Sequence, residues 1–142
     1  MKVRMISNCG IVPAYGTSGS AGFDLPAYVE EPITLKPGER RLIPTGIFME
    51  LPQGYEAQVR ARSGLAIKNG IGLVNGIGTV DSDYRGELLV PMINWGQQDF
   101  IIRNGDRIAQ VVINKYEQVE FELSESLDCT ERGAGGFGHT GV

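Results

Sequence analysis

The chain has 142 residues and a formal net charge of -4, a length that fits one domain around a single core. The acidic balance excludes a protein that holds nucleic acid mainly by neutralising phosphates, which takes a Lys/Arg surplus, although a few local cations and a metal still suffice for one small nucleotide. No apolar run approaches the ~18 residues of a membrane span and the N-terminus lacks the apolar core of a signal peptide, so no membrane contact is expected and the cytoplasm is the expected compartment.

Cys9 comes first along the chain, and its only fellow is Cys129, far away and with no partner at ligand spacing. Free thiols are predicted, with neither a disulfide framework nor a zinc site. A Gly/Ser-rich loop, Gly16 to Ser20, precedes Ala21-Gly22-Phe23-Asp24-Leu25. From Lys36 onward turn signals recur at short intervals: Lys36-Pro37-Gly38, Pro52-Gln53-Gly54, Asn69-Gly70, Asn75-Gly76, Arg85-Gly86, Asn94-Trp95-Gly96 and Asn104-Gly105-Asp106. The runs between them are short and rich in Val, Ile, Leu and Tyr. They leave room for strands and not for helices, so the predicted class is all-β, a jelly-roll-like β-sandwich or barrel.

One short helix is predicted over Ser63 to Lys68, with Ser63 as its cap and Asn69-Gly70 as its stop. Leu88-Leu89-Val90-Pro91-Met92-Ile93 is apolar throughout, and Ile108-Ala109-Gln110-Val111-Val112-Ile113 is apolar except for Gln110. Both read as strands buried on two faces. Either a subunit interface or a central place within the monomer supplies the second cover. Val119, Phe121 and Leu123 alternate with Gln118, Glu120 and Glu122 as on a half-buried strand. The run from Arg132 to Gly141 carries too little side chain to pack, which makes residues 130–142 a mobile glycine-rich tail on a single domain, 1–142. His139, the sole histidine, sits in that tail. Histidine-cluster metal sites are therefore excluded, and hydrolytic chemistry falls to carboxylates.

Five polar or glycine-rich stretches stand out against this strand background. Asp24, read alone, is a turn or cap residue. Arg62-Ser63-Gly64 reads as a capped helix start, whose free N–H groups, hydroxyl and guanidinium also make an anion site. In Asn75-Gly76-Ile77-Gly78-Thr79-Val80-Asp81-Ser82-Asp83-Tyr84-Arg85-Gly86, a glycine-built hairpin brings bare backbone close to a ligand, and its N–H and C=O groups suit the edge of a flat base. Asp81-Ser82-Asp83 alone is turn chemistry, and Tyr84 alone a half-buried strand aromatic. Gln110, in Gly105-Asp106-Arg107-Ile108-Ala109-Gln110, is a lone amide in an apolar strand and needs a partner. The tail lacks both the lysine and the strand-to-helix setting of a P-loop, and makes better sense as a terminal lid.

In order, and over nearly the whole chain, these stretches resemble the five motifs of the trimeric dUTPase family. The resemblance implies a Mg²⁺-dependent homotrimer that hydrolyses dUTP to dUMP and pyrophosphate, limiting uracil in DNA and supplying dUMP for dTMP synthesis. It places Asp24 near the phosphates, ordering the water shell of the metal, and has Arg62, Ser63 and Gly64 grip the triphosphate. The hairpin with Asn75 and Gly78 receives uracil. Asp81 is the general base for in-line water attack on the α-phosphorus, and the Tyr84 ring lies under the sugar and excludes a 2'-hydroxyl. Gln110 meets the α-phosphate and the attacking water, while Arg107 pairs with a carboxylate. In the tail, Phe137 stacks on the base and Arg132 meets phosphate charge. Each active site draws on three subunits. Ala61 stands where many members carry Pro, and His139 where Ser is common. Two rivals follow: a non-catalytic nucleotide-binding module of the same fold, and a dCTP deaminase, which needs a glutamate at about the place of Pro91.

Overall fold

The computed structural model of the chain describes residues 1–137. They form β1 (Arg4–Ser7), β2 (Gly22–Pro26), β3 (Ile33–Leu35), β4 (Arg40–Ile43), β5 (Ile47–Glu50), β6 (Tyr55–Arg60), α1 (Ser63–Asn69), β7 (Ile71–Leu73), β8 (Ile77–Val80), β9 (Val90–Asn94), β10 (Phe100–Ile102) and β11 (Arg107–Lys115). The architecture is the predicted jelly-roll-like β fold with one short helix. One sheet runs β2-β11-β6-β8 and a second β4-β9-β7, while β1-β5 and β10-β3 make two-stranded ribbons. Among the described residues every pairing is antiparallel, and no strand pairs with its neighbour in sequence.

The period of two decides which side chains go inward. Ala57 and Val59 of β6 are buried while Glu56, Gln58 and Arg60 stay half-exposed, and Val90 and Met92 of β9 are fully buried. With Leu25, Leu35, Ile43, Ile47, Ile71, Ile102 and Val111 they belong to one apolar cluster. Fully burying each such side chain stabilises by about 1.5–3 kcal/mol before ordering costs. Turns fall where the sequence put them. Tyr55 N–H reaches the Pro52 carbonyl at 3.2 Å, Glu39 N–H the Lys36 carbonyl at 2.9 Å and Asp106 N–H the Arg103 carbonyl at 3.1 Å.

Three expectations are corrected. Ser63 does not cap the helix: Arg62 holds the cap position with φ -90° and ψ 126° and no side-chain cap bond. Its guanidinium is drawn instead to Asp24 and the Arg107 carbonyl. The alternation at Val119, Phe121 and Leu123 forms no strand. Strand β11 ends at Lys115, and Phe121 and Leu123 are 90% and 100% exposed, so the segment lays neither face of its alternation on the core of its own chain. A central place within the monomer does not supply the second cover of the two apolar runs, since in the single chain Leu89 is exposed and Pro91, Ile93, Val112 and Ile113 are only half-buried.

Helix α1 buries no side chain fully; Leu65, half-buried, packs against the apolar cluster, and the C-terminal end supplies the backbone anchor. Gly70, at φ 68°, closes the helix with its N–H on the Ala66 carbonyl at 3.0 Å, and Trp95 N–H donates to the Gly70 carbonyl at 2.8 Å. A Cβ on Gly70 would stand 2.5 Å from the Gly96 nitrogen. Glycine is therefore required there both by conformation and by space.

Candidate active site

Strand β8 ends the sheet order beside β6, with Gly78 opposite Val59 and Thr79 opposite Gln58. Backbone groups on its outer side thus find no strand partner among the described residues, which is the arrangement that lets an edge pair with something flat. The turn leading into it is closed by Gly76 N–H on the Leu73 carbonyl at 3.0 Å. A Cβ on Gly78 would lie 3.3 Å from Val59 Cβ and 3.4 Å from Asn75 Nδ2, so a larger residue would push the Asn75 amide aside. Around this bare backbone opens a cavity lined by Asn75, Gly78, Asp81, Tyr84, Glu87 and the apolar side chains of Leu42, Val59, Leu89 and Pro91. Its walls are apolar with few polar groups, as in a site for a planar ligand.

Asp81 follows β8 and is exposed to solvent. Tyr84 N–H donates to the Asp81 carbonyl at 3.2 Å, so the carboxylate and the aromatic ring occupy the two ends of one turn. Arg85 Nη1 holds the turn from outside through the Ser82 and Tyr84 carbonyls at 2.7 and 3.0 Å. The Tyr84 hydroxyl donates to the Glu87 carbonyl at 2.9 Å. Asp83 is an exposed turn residue, as expected.

A second cluster gathers Asp24, Arg62, Arg107 and Gln110. Register explains it: Gln110 of β11 lies opposite Asp24 of β2 on one side and Arg60 of β6 on the other. Arg62 Nε meets Asp24 Oδ1 at 3.0 Å, and Arg107 Nη1 meets Asp24 Oδ2 at 3.1 Å. Arg107 is thereby the carboxylate partner that was expected of it. Arg62 Nη1 also donates to the Arg107 carbonyl at 2.7 Å, and Gln110 Nε2 donates to the Ala61 carbonyl at 3.0 Å. The amide that needed a partner has one, and it ties the strand to the corner where β6 passes into α1. Ser63 and Gly64 open the helix without a side-chain cap, leaving first-turn N–H groups with no intrahelical partner.

Within one chain the two clusters remain separate, because the cavity lining includes none of Asp24, Arg62, Ser63, Gly64 and Gln110. Arg132 and Phe137 are equally absent from it. Arg132 Nε turns back to the Gly135 carbonyl at 2.8 Å, and Phe137 is wholly exposed. The rest of the predicted lid, residues 138–142 with His139, lies outside the described residues. Leu42, Leu89 and Glu87 also stand in the cavity wall, without a local sequence pattern that marks them for it. Leu42 arrives through the pairing of β4 with β9, a long-range contact that no local pattern announces. Glu87 carried only the signal of a charge beside an apolar strand.

A β-sandwich with a base-sized, glycine-built cavity at a sheet edge and a guanidinium-rich corner elsewhere defines a small nucleotide-handling protein of the jelly-roll class. The sequence model of the dUTPase family matches residues 9–141, and the chain belongs to that family. It is 55% identical over 142 residues to the deoxyuridine 5'-triphosphate nucleotidohydrolase of Finegoldia magna, covering 99% of each chain. Against the enzyme of that name from Rickettsia bellii it is 56% identical over 143 residues, covering 100% of this chain and 95% of the other. Among solved structures, Staphylococcus bacteriophage 80alpha dUTPase with dUpNHpp superposes with a TM-score of 0.88 at 25% identity, covering 99% of this chain and 98% of that one.

Proposed function

We propose that the chain is a hydrolase of nucleotide metabolism, a dUTP diphosphatase that releases dUMP and pyrophosphate and so keeps uracil out of DNA. The observation that carries this reading is the cavity at β8, where free edge backbone at Gly78, the Asn75 amide, the Asp81 carboxylate and the Tyr84 ring line one wall. Fixed donors and acceptors on a backbone edge suit uracil and leave groups unpaired with cytosine, a mismatch that costs on the order of 10⁴-fold. A bound dUpNHpp in a relative of the same fold supports a uracil deoxynucleotide as ligand.

In the reaction, water attacks the α-phosphorus in line with the bridging oxygen. The new P–O bond forms as the bond to the bridging oxygen breaks; pyrophosphate leaves, and Asp81 takes the proton of the water. Gln110 orients the α-phosphate and the water, Arg62, Ser63 and Gly64 hold the triphosphate, and Tyr84 supports the sugar. Phe137 and Arg132 close over base and phosphates from residues 130–142, acting as a lid carried by a single domain, 1–142. Most of the barrier reduction comes from this positioning and from charge neutralisation.

The donor set suits Mg²⁺ carried by the substrate. Among the described residues no three His, Cys, Asp or Glu side chains gather into a cage, and Asp24, whose two oxygens meet Arg62 and Arg107, is the carboxylate at the guanidinium corner that would help hold the hydrated ion. Mg²⁺ bound there would supply positive charge to the phosphate oxygens.

We further propose a homotrimer with active sites shared between subunits. The separation of the cavity from Asp24, Arg62 and Gln110 supports it, as do the bare apolar residues Val119, Phe121, Leu123 and Leu127. A cytoplasmic location is part of this proposal, and the free Cys9 and Cys129 thiols support it; no described helix is long and apolar enough to cross a membrane. Deamination of dCTP is disfavoured. Pro91 stands where a glutamate is needed, and the one glutamate in the cavity wall, Glu87, has its Oε1 committed to two backbone N–H groups.

The test is pyrophosphate release with Mg²⁺ from dUTP, dTTP, dCTP and UTP, each supplied alone. Release from dUTP only is expected. No release from any of the four would favour a non-catalytic module, and ammonia from dCTP would favour the deaminase.

A further inference from the structure

Sugar discrimination at this site depends on where the Tyr84 ring stands, and the ring is not held by the turn that carries it. Its hydroxyl donates to the Glu87 carbonyl at 2.9 Å, and the ring lies so close over Gly86 that a Cβ there would collide with the phenol oxygen. Glu87 thus sets both the depth and the tilt of the ring. What fixes Glu87 in turn is its own side chain: Oε1 accepts from Thr45 N–H at 3.0 Å and from Gly46 N–H at 2.7 Å, at the corner between β4 and β5. That corner is itself rigid. The fully buried Thr45 hydroxyl donates to the Leu88 carbonyl at 2.6 Å and accepts from Ile47 N–H at 3.1 Å, and Leu88 N–H donates to the Ile47 carbonyl at 2.8 Å.

We infer that Glu87 is a positioning residue for sugar selectivity: its carboxylate clamps the end of the Tyr84 turn to the Thr45-Gly46 corner and thereby sets the ring against the 2' position. This deepens the reading of the cavity as a dUTP site and rests on it. Nothing in the clamp requires a charge, since both contacts are N–H groups meeting one acceptor oxygen. A glutamine keeps that acceptor, whereas an alanine leaves two donors unpaired and frees the turn.

The experiment measures kcat/KM for dUTP and for UTP in the full chain and in Glu87→Ala, Glu87→Gln, Tyr84→Phe and the Glu87→Ala/Tyr84→Phe pair, with a melting curve for each at the assay conditions. Glu87→Ala is expected to lower the dUTP-to-UTP ratio by about tenfold or more, a misplacement effect, through a gain on UTP as well as a loss on dUTP. Glu87→Gln restores the ratio of the unaltered protein. In the double variant the ratio falls no further than in Glu87→Ala alone, since both changes cut one linkage. An unchanged ratio in folded Glu87→Ala, a Gln variant as unselective as the Ala variant, or additive losses would each overturn the assignment. Failure of the unaltered protein to cleave dUTP would instead bring down the function itself.

Discussion

Asn94 and Leu35 are joined by a hydrogen bond inside the core: Asn94 Nδ2 donates to the Leu35 carbonyl at 2.8 Å, linking β9 to β3 across two different sheets. The same nitrogen donates to the Gln98 carbonyl at 2.8 Å, and Asn94 Oδ1 accepts from Gly96 N–H at 2.8 Å. With the side chain fully buried, water replaces none of these partners. Asn94→Ala is expected to cost about 3 kcal/mol, from unpaired groups and a small void. Asn94→Asp, nearly identical in shape, is expected to cost more, because it sets an acceptor-only carboxylate against two carbonyl oxygens. Denaturant midpoints rank the two, and an Asp variant as stable as the original would refute the donor assignment.

Gly70 and Gly54 both have positive φ, 68° and 84°, but only Gly70 is crowded. Gly54→Ala meets open space, so it is expected to cost the backbone penalty alone, about 1 kcal/mol. Gly70→Ala adds the collision with Gly96 and shifts the end of α1, so it should cost roughly twice as much or more and should also raise KM for dUTP. Equal stability losses in the two variants would show that the contact with Gly96 relaxes freely.

These two cases mark how far the sequence could be read. Asn94-Trp95-Gly96 and Asn69-Gly70 declared themselves as turns, because turn chemistry is local, and the strands between such signals followed. That Asn94 turns inward to three partners was not legible, since its partners lie on β3 and in the next loop. Strand partners were hidden for the same reason, as no strand pairs with its sequence neighbour. Asp81, Tyr84 and Asn75 were legible as one hairpin because they are contiguous. Leu42 and Glu87, which complete the cavity wall, depend on pairing between distant strands. The alternation around Phe121 misled, since it lies in no strand and its apolar side chains are exposed in the single chain.

Asp81 is assigned the proton of the attacking water. Asp81→Asn keeps the shape and the backbone contact to Tyr84 while removing the base, so turnover should fall by on the order of 10²–10⁴-fold or more. Binding should persist, because Asn75, Gly78 and Tyr84 are untouched. Pyrophosphate release reads the first effect, and titration calorimetry with a non-hydrolysable imido analogue of dUTP reads the second. Turnover equal to that of the unaltered protein would remove Asp81 from the mechanism, and loss of both turnover and binding would recast it as a ligand contact.

The C-terminal segment is proposed to carry two separable roles, and two truncations distinguish them. Residues 117–127 present Val119, Phe121, Leu123 and Leu127 to solvent in a single chain, an apolar area that a subunit contact would cover. Residues beyond Cys129 carry Arg132 and Phe137, which touch nothing in the cavity of their own chain. Ending the chain after Cys129 should therefore leave the proposed trimer intact in analytical ultracentrifugation while slowing dUTP cleavage by about tenfold or more, as loss of a closing segment does. Ending it after Tyr116 should lower the mass toward that of the monomer, and cleavage should be lost with it because no single chain unites Asp81 with Arg62 and Gln110. Full rate in the shorter cut would leave Arg132 and Phe137 without a role, and a monomeric protein that still turned over dUTP would contradict the shared site.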